Sequence, residues 1–132
     1  MKLNISDLKN ITPVGTAIKL QYETGYSGEE KTLDIRVYPL KVSEKILLQE
    51  NSDALNKLVN IKERTPEQDK RVVELNDSIN LDYAYYTMKK VCDDITREII
   101  KESFPKTWYA QIFKATLKSE GIDVEEIQKE KN

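Results

Sequence analysis

The apolar pattern of this chain changes period once, near Pro39, and does not change back. Before it, Ala17 to Glu23 alternates: Ile18, Leu20 and Tyr22 point one way, Lys19, Gln21 and Glu23 the other. Thr32 to Tyr38 does the same, with Leu33, Ile35 and Val37 against Asp34, Arg36 and Tyr38. Period-two alternation of this kind predicts two half-buried strands. The polar stretch Thr24 to Lys31 between them, with Gly25 and Gly28, is longer than a tight turn and joins them as an antiparallel ribbon. A two-stranded ribbon is marginal alone, so it must lie on helices or on further strands. The first dozen residues, with Leu3, Ile5, Leu8 and Ile11, have no assignable period.

After Pro39 the spacing is helical. Ser43 is the expected cap of a helix whose interior shows Ile46, Leu47 and Leu48, then Ala54, Leu55, Leu58, Val59 and Ile61. The polar gap Gln49 to Asp53 leaves open whether this is one helix or two. Thr65-Pro66-Glu67-Gln68 predicts a start, with an N-cap, proline at the first helical position and Gln three residues on. Asn76 to Asn80 is the expected weak point of that helix. Leu81, Tyr85, Met88, Cys92, Ile95 and Ile99 then follow at spacings of four, three, four, three and four. That is a heptad stripe on one helix face, expected to pack on a helical partner and to end at Phe104-Pro105. Thr107 is the expected cap of a helix through Trp108, Tyr109, Ile112, Phe113 and Leu117, with Gly121 as its C′ residue. Asp123-Val124-Glu125-Glu126 reads as a further capping box, with Ile122 and Ile127 as a hydrophobic staple. The fold class is therefore α+β: one domain over residues 1–132, a β-ribbon region over 1–40 and a helical region over 41–132.

The side chains available narrow the chemistry. There is no histidine and one cysteine among 132 residues. Histidine dominates acid–base work near neutrality and metal ligation, so the commonest catalytic toolkits have nothing to be built from. No phosphate-cradling glycine pattern accompanies the Thr24–Lys31 loop, which reads as a surface connection or a contact loop. Cys92 cannot form an internal disulfide and reads as a small buried hydrophobe in a reducing compartment. Asp94, Glu98 and Glu102, with Asp93 beside them, lie four apart on one helix face. Arg97 and Lys101 are interleaved, so a solvated, ion-paired face is expected rather than a cation site. The reading is non-catalytic, with no cofactor, no metal and no small-molecule ligand.

Charge bears on partners. The formal net charge is −2, and residues 1–64 carry ten basic and nine acidic side chains, so no basic arm exists for nucleic acid. A helix-turn-helix around Gly121 is rejected because its second helix would present Glu125, Glu126 and Glu130 to phosphates. The opening Met-Lys-Leu-Asn-Ile-Ser-Asp lacks an apolar signal core, and no run reaches a membrane span. The expected location is cytoplasmic. What remains is protein contact. Tyr83, Tyr85 and Tyr86 with Trp108, Tyr109 and Phe113 form an aromatic block that either fills a helix–helix core or anchors a partner. Tyr83 and Tyr86 fall beside the heptad stripe. They are the first candidates for a partner-binding surface, with Trp108 and Tyr109.

The run Leu33-Asp34-Ile35-Arg36-Val37-Tyr38-Pro39-Leu40-Lys41-Val42-Ser43-Glu44-Lys45 resembles the strand-to-helix junction of the tail assembly chaperones of long-tailed bacteriophages. The helical remainder and the closing Gly121-Ile122-Asp123-Val124-Glu125-Glu126-Ile127 also look like that group. The resemblance implies a small, helix-rich, self-associating protein that binds the helical tape-measure protein in the host cytoplasm during virion assembly. A structural tail-tube or connector component of the virion, and a small cytoplasmic protein-binding regulator, are the alternatives.

Overall fold

The computed structural model describes residues 2, 4–9 and 11–122. Its element order is α1 (Ile5–Lys9), β1 (Thr16–Tyr22), β2 (Lys31–Val37), α2 (Val42–Val59), α3 (Pro66–Lys89), α4 (Arg97–Ser103) and α5 (Lys106–Ser119). The fold is α+β, with the N-terminal ribbon followed by helices. β1 and β2 pair antiparallel in the register Ile18↔Ile35 and Leu20↔Leu33. The alternation has the expected sense. Leu20 and Val37 are fully buried and Ile18, Tyr22 and Ile35 partly so, while Lys19, Gln21, Asp34 and Arg36 face solvent. The ribbon lies on α5, and its inner face joins one apolar cluster built on Leu20, Ala84, Met88, Ile95, Ile100, Trp108 and Ile112. Burial of that cluster is what holds a ribbon that would be marginal alone.

The capping predictions divide. At Thr65 the reciprocal box is formed: Gln68 N–H donates to Thr65 Oγ1 (3.2 Å), and Thr65 N–H donates to Gln68 Oε1 (2.9 Å). Gly121 sits at φ +86°, where its N–H reaches the Lys118 carbonyl and the Ile122 N–H reaches that of Leu117. This is the Schellman closure that a left-handed C′ residue permits. Phe104 ends α4 as expected. Ser43, however, is not a cap. α2 begins two residues earlier, at Val42 with Lys41 as N-cap, and the Glu44 carboxylate accepts the Lys41 N–H at 2.7 Å. Thr107 is inside α5, whose N-cap is Pro105. The fixed φ of proline and its extended ψ set the entry without a side-chain cap. The capping box expected at Asp123 lies outside the described residues.

The open question at Gln49–Asp53 resolves to one helix, the weak point of α3 is not a break, and one unexpected break is present. α2 runs unbroken through Gln49–Asp53, where Gln49 Nε2 donates to Asp53 Oδ1 one turn on. α3 runs unbroken through Asn76–Asn80, because Leu75 and Ile79 on its inner face are buried and tertiary packing overrides weak propensity. The heptad stripe is not one helix. α3 stops at Lys89, the chain turns through residues 90–96, and Thr96 caps α4 by accepting the Ile99 N–H at 3.2 Å. Asp93, Asp94 and Thr96 are residues whose side chains compete for backbone groups and favour such restarts. The turn re-phases the seam. Ile95 and Ile100 go inward, whereas Ile99 is 47% exposed and Cys92 is exposed rather than buried. Asp94 is outside α4, so the row Asp94–Glu98–Glu102 does not share a helix face.

Candidate functional site

Each of the aromatic residues expected at a partner surface has an identifiable place. Trp108 is a core residue. Its ring lies edge-on between Phe104 (4.9 Å between centroids) and Tyr22 (6.2 Å), and its Nε1–H donates to the Gln21 carbonyl at 2.9 Å. Trp108 therefore links α5 to the ribbon and is not an exposed anchor. Tyr109 is half-buried beside Phe104, with its hydroxyl donating to the Ile100 carbonyl at 3.2 Å, which ties α5 to α4. Tyr83 packs edge-on against Phe113 at 4.9 Å, and Tyr86 edge-on against Tyr85 at 5.6 Å. Both are half-buried. The four residues are thus spread over separate contacts rather than gathered into one surface.

Around Tyr83 and Tyr86 the polar side chains knit the helices together. Arg97 lies over the Tyr85 ring at 4.0 Å and donates from Nε to Asp82 Oδ1 at 3.0 Å, clamping the start of α4 onto α3. Glu44 receives Lys90 Nζ at 2.7 Å, joining α2 to the end of α3. Lys45 pairs with Glu120 Oε2 at 2.9 Å, joining α2 to the end of α5. The other oxygen, Glu120 Oε1, is buried and makes no hydrogen bond to the described residues. Tyr83 stands close by. Burial first, and the Glu120 carboxylate second, push its phenol above the ordinary value, while Lys45 acts the other way. At the α3–α5 crossing Thr116 Oγ1 donates to the Ile112 carbonyl (2.8 Å) and lies 3.4 Å from Thr87 Oγ1. These contacts fix helices.

The exposed apolar side chains lie elsewhere. On the first turns of α2, Val42, Ile46 and Leu47 are 75%, 67% and 64% exposed. Of the run Ile46-Leu47-Leu48, expected inside, only Leu48 is buried. Ahead of the ribbon Ile5, Leu8, Ile11 and Val14 are all exposed as well. Tyr26, at the tip of the loop, is fully exposed at φ +57°, a conformation uncommon for a residue with a side chain. Sequence reasoning passed over the α2 patch, although three consecutive apolar residues cannot all face the same side of a helix. Across the ribbon, Ala17, Ile18, Lys19, Asp34, Ile35 and Arg36 line an open depression of about 470 Å³.

Among the described residues no group of three or more His, Cys, Asp or Glu side chains is placed to hold a metal ion. No described helix is long and apolar enough to cross a membrane. No protein-family model, curated protein or solved structure matches the chain.

Proposed function

We infer that this protein is a non-catalytic assembly factor that holds a helical segment of another protein, in the manner of a phage tail assembly chaperone, and that it self-associates. The observation that carries the reading is the α2 patch. Val42 and Ile46 are one turn apart on a helix otherwise fastened to the body by Glu44 and Lys45, and Leu47 adjoins them. Exposed apolar side chains at i and i+4 are the form in which one helix receives another. The aromatic block supports the reading indirectly. Tyr83 and Phe113 tie α5 to α3, the helix on which α2 packs, and Trp108 ties α5 to the ribbon. The sequence resemblance to tail assembly chaperones supplies the partner class, a long helical tape-measure-like protein.

Site-specific photo-cross-linking tests this. A photoreactive residue at Ile46 is expected to yield an adduct with a helical protein in cells that make both, and the same group at exposed Glu63 is not. Equal labelling at both sites, or none at either, contradicts the reading. A structural tail component would instead be abundant in purified particles, and comparing particles with lysate by mass spectrometry separates it from a factor that leaves before maturation.

A further inference from the structure

The ribbon has a free edge, and its sequence is complementary to itself. β2 is the more exposed strand: α5 lies chiefly beneath β1, and among the described residues no third strand pairs with either. The Gln21 carbonyl is taken by Trp108 Nε1. That marks Gln21↔Thr32, and with it Lys19↔Asp34 and Ala17↔Arg36, as the pairs whose backbone groups point out of the ribbon. On β2 the outward N–H and C=O groups therefore belong to Thr32, Asp34 and Arg36. An edge of this kind is a ready template for another strand unless something blunts it. β2 holds no proline.

We propose that β2 is the dimer edge: two copies pair antiparallel along it about a two-fold axis at Ile35, making a four-stranded sheet. The inference rests on the self-association part of the function proposed above and gives it a surface. Charge decides the register. An axis at Asp34 sets Asp34 against itself, and an axis at Arg36 sets two guanidinium groups together, both unfavourable directly across strands. With the axis at Ile35, Asp34 of each copy faces Arg36 of the other, and these are the residues with outward backbone groups. On the inner face partly buried Ile35 meets its own copy, while Val37 is already covered within its own chain and adds nothing to the contact. One strand pair covers limited area, so the association belongs at the weaker end of specific interfaces.

Asp34→Arg and Arg36→Asp test the register, because both side chains are exposed and each change alone puts like charges across the edge. Sedimentation at high micromolar concentration is expected to give twice the 15.3 kDa chain mass for the unaltered protein. Each variant alone is expected to dimerise at least tenfold more weakly, with thermal melting confirming that it is folded. An equal mixture of the two variants restores every opposite pair and is expected to dimerise again. Variants that dimerise like the unaltered protein, or a mixture that stays monomeric, overturn the β2 edge while leaving self-association through another face. An unaltered protein that is monomeric throughout overturns both.

Discussion

Trp108 bonds to a backbone carbonyl of the strand it supports, so its two contributions can be separated. Trp108→Phe keeps most of the apolar contact but leaves the Gln21 carbonyl without its donor, and is expected to cost about 1–3 kcal/mol in denaturant unfolding. Trp108→Ala removes the packing as well and is expected to cost roughly 3–5 kcal/mol. Tyr83 and Tyr109 bear on pH. Both phenols are raised above 10.0, first by burial and then by a carboxylate, Glu120 for Tyr83 and Asp77 for Tyr109. An acid whose folded value is raised favours its neutral form in the native state. The stability it contributes is therefore complete below the ordinary phenol range and is lost as pH rises through the folded value. In an ultraviolet tyrosinate titration of the folded protein these two groups should ionise above the ordinary phenol range. Tyr83→Phe should remove one late-ionising group; a high-pH limb unchanged by that substitution would contradict the assignment.

At the scale of elements, the sequence was most readable where a side chain must occupy one position to work. Thr65, Phe104 and Gly121 act through single hydrogen bonds or dihedral angles, and their roles follow from local chemistry. Thr65→Ala is accordingly expected to cost ~1 kcal/mol. The strands were equally legible, because a period of two leaves little choice once one face is buried. The α3–α4 region was not. Leu81 to Ile99 keeps a heptad spacing across a turn, and nothing in spacing alone distinguishes a straight seam from one that is cut and re-phased. The clue was chemical: Asp93, Asp94 and Thr96 interrupt the run with residues that prefer caps and turns. A substitution series checks the corrected phase. Ile95→Asp and Ile100→Asp should each destabilise by several kcal/mol, as an unpaired charge in the core does, whereas Ile99→Asp should stay within about 0.5 kcal/mol. A straight helix would reverse the order of Ile99 and Ile100. Cys92 belongs to the same test, since its exposed thiol should react with a disulfide reagent without unfolding.

For the whole molecule, one core joins the ribbon to α3, α4 and α5, and α2 is attached through Leu48 and the ion pairs of Glu44 and Lys45. That division explains why the candidate site was the least legible part. The aromatic block was read as surface or core from spacing alone, and the core took Trp108 outright and half of Tyr83, Tyr86 and Tyr109. The exposed apolar residues came instead from a run that looked like an ordinary helix interior. Which of three neighbouring apolar residues faces out depends on how a helix is docked, and its partners, α3 together with Lys90 and Glu120, lie far along the chain. The central claim is that the outer face of α2 holds a helical partner, and the most direct measurement is affinity capture from cells that contain that partner. Ile46→Glu with Leu47→Glu replaces the patch by charge without touching the core. The account predicts that the unaltered protein retains a helical protein and that the double variant, with an unchanged melting temperature, loses it at least tenfold. Equal capture by both proteins would contradict the claim.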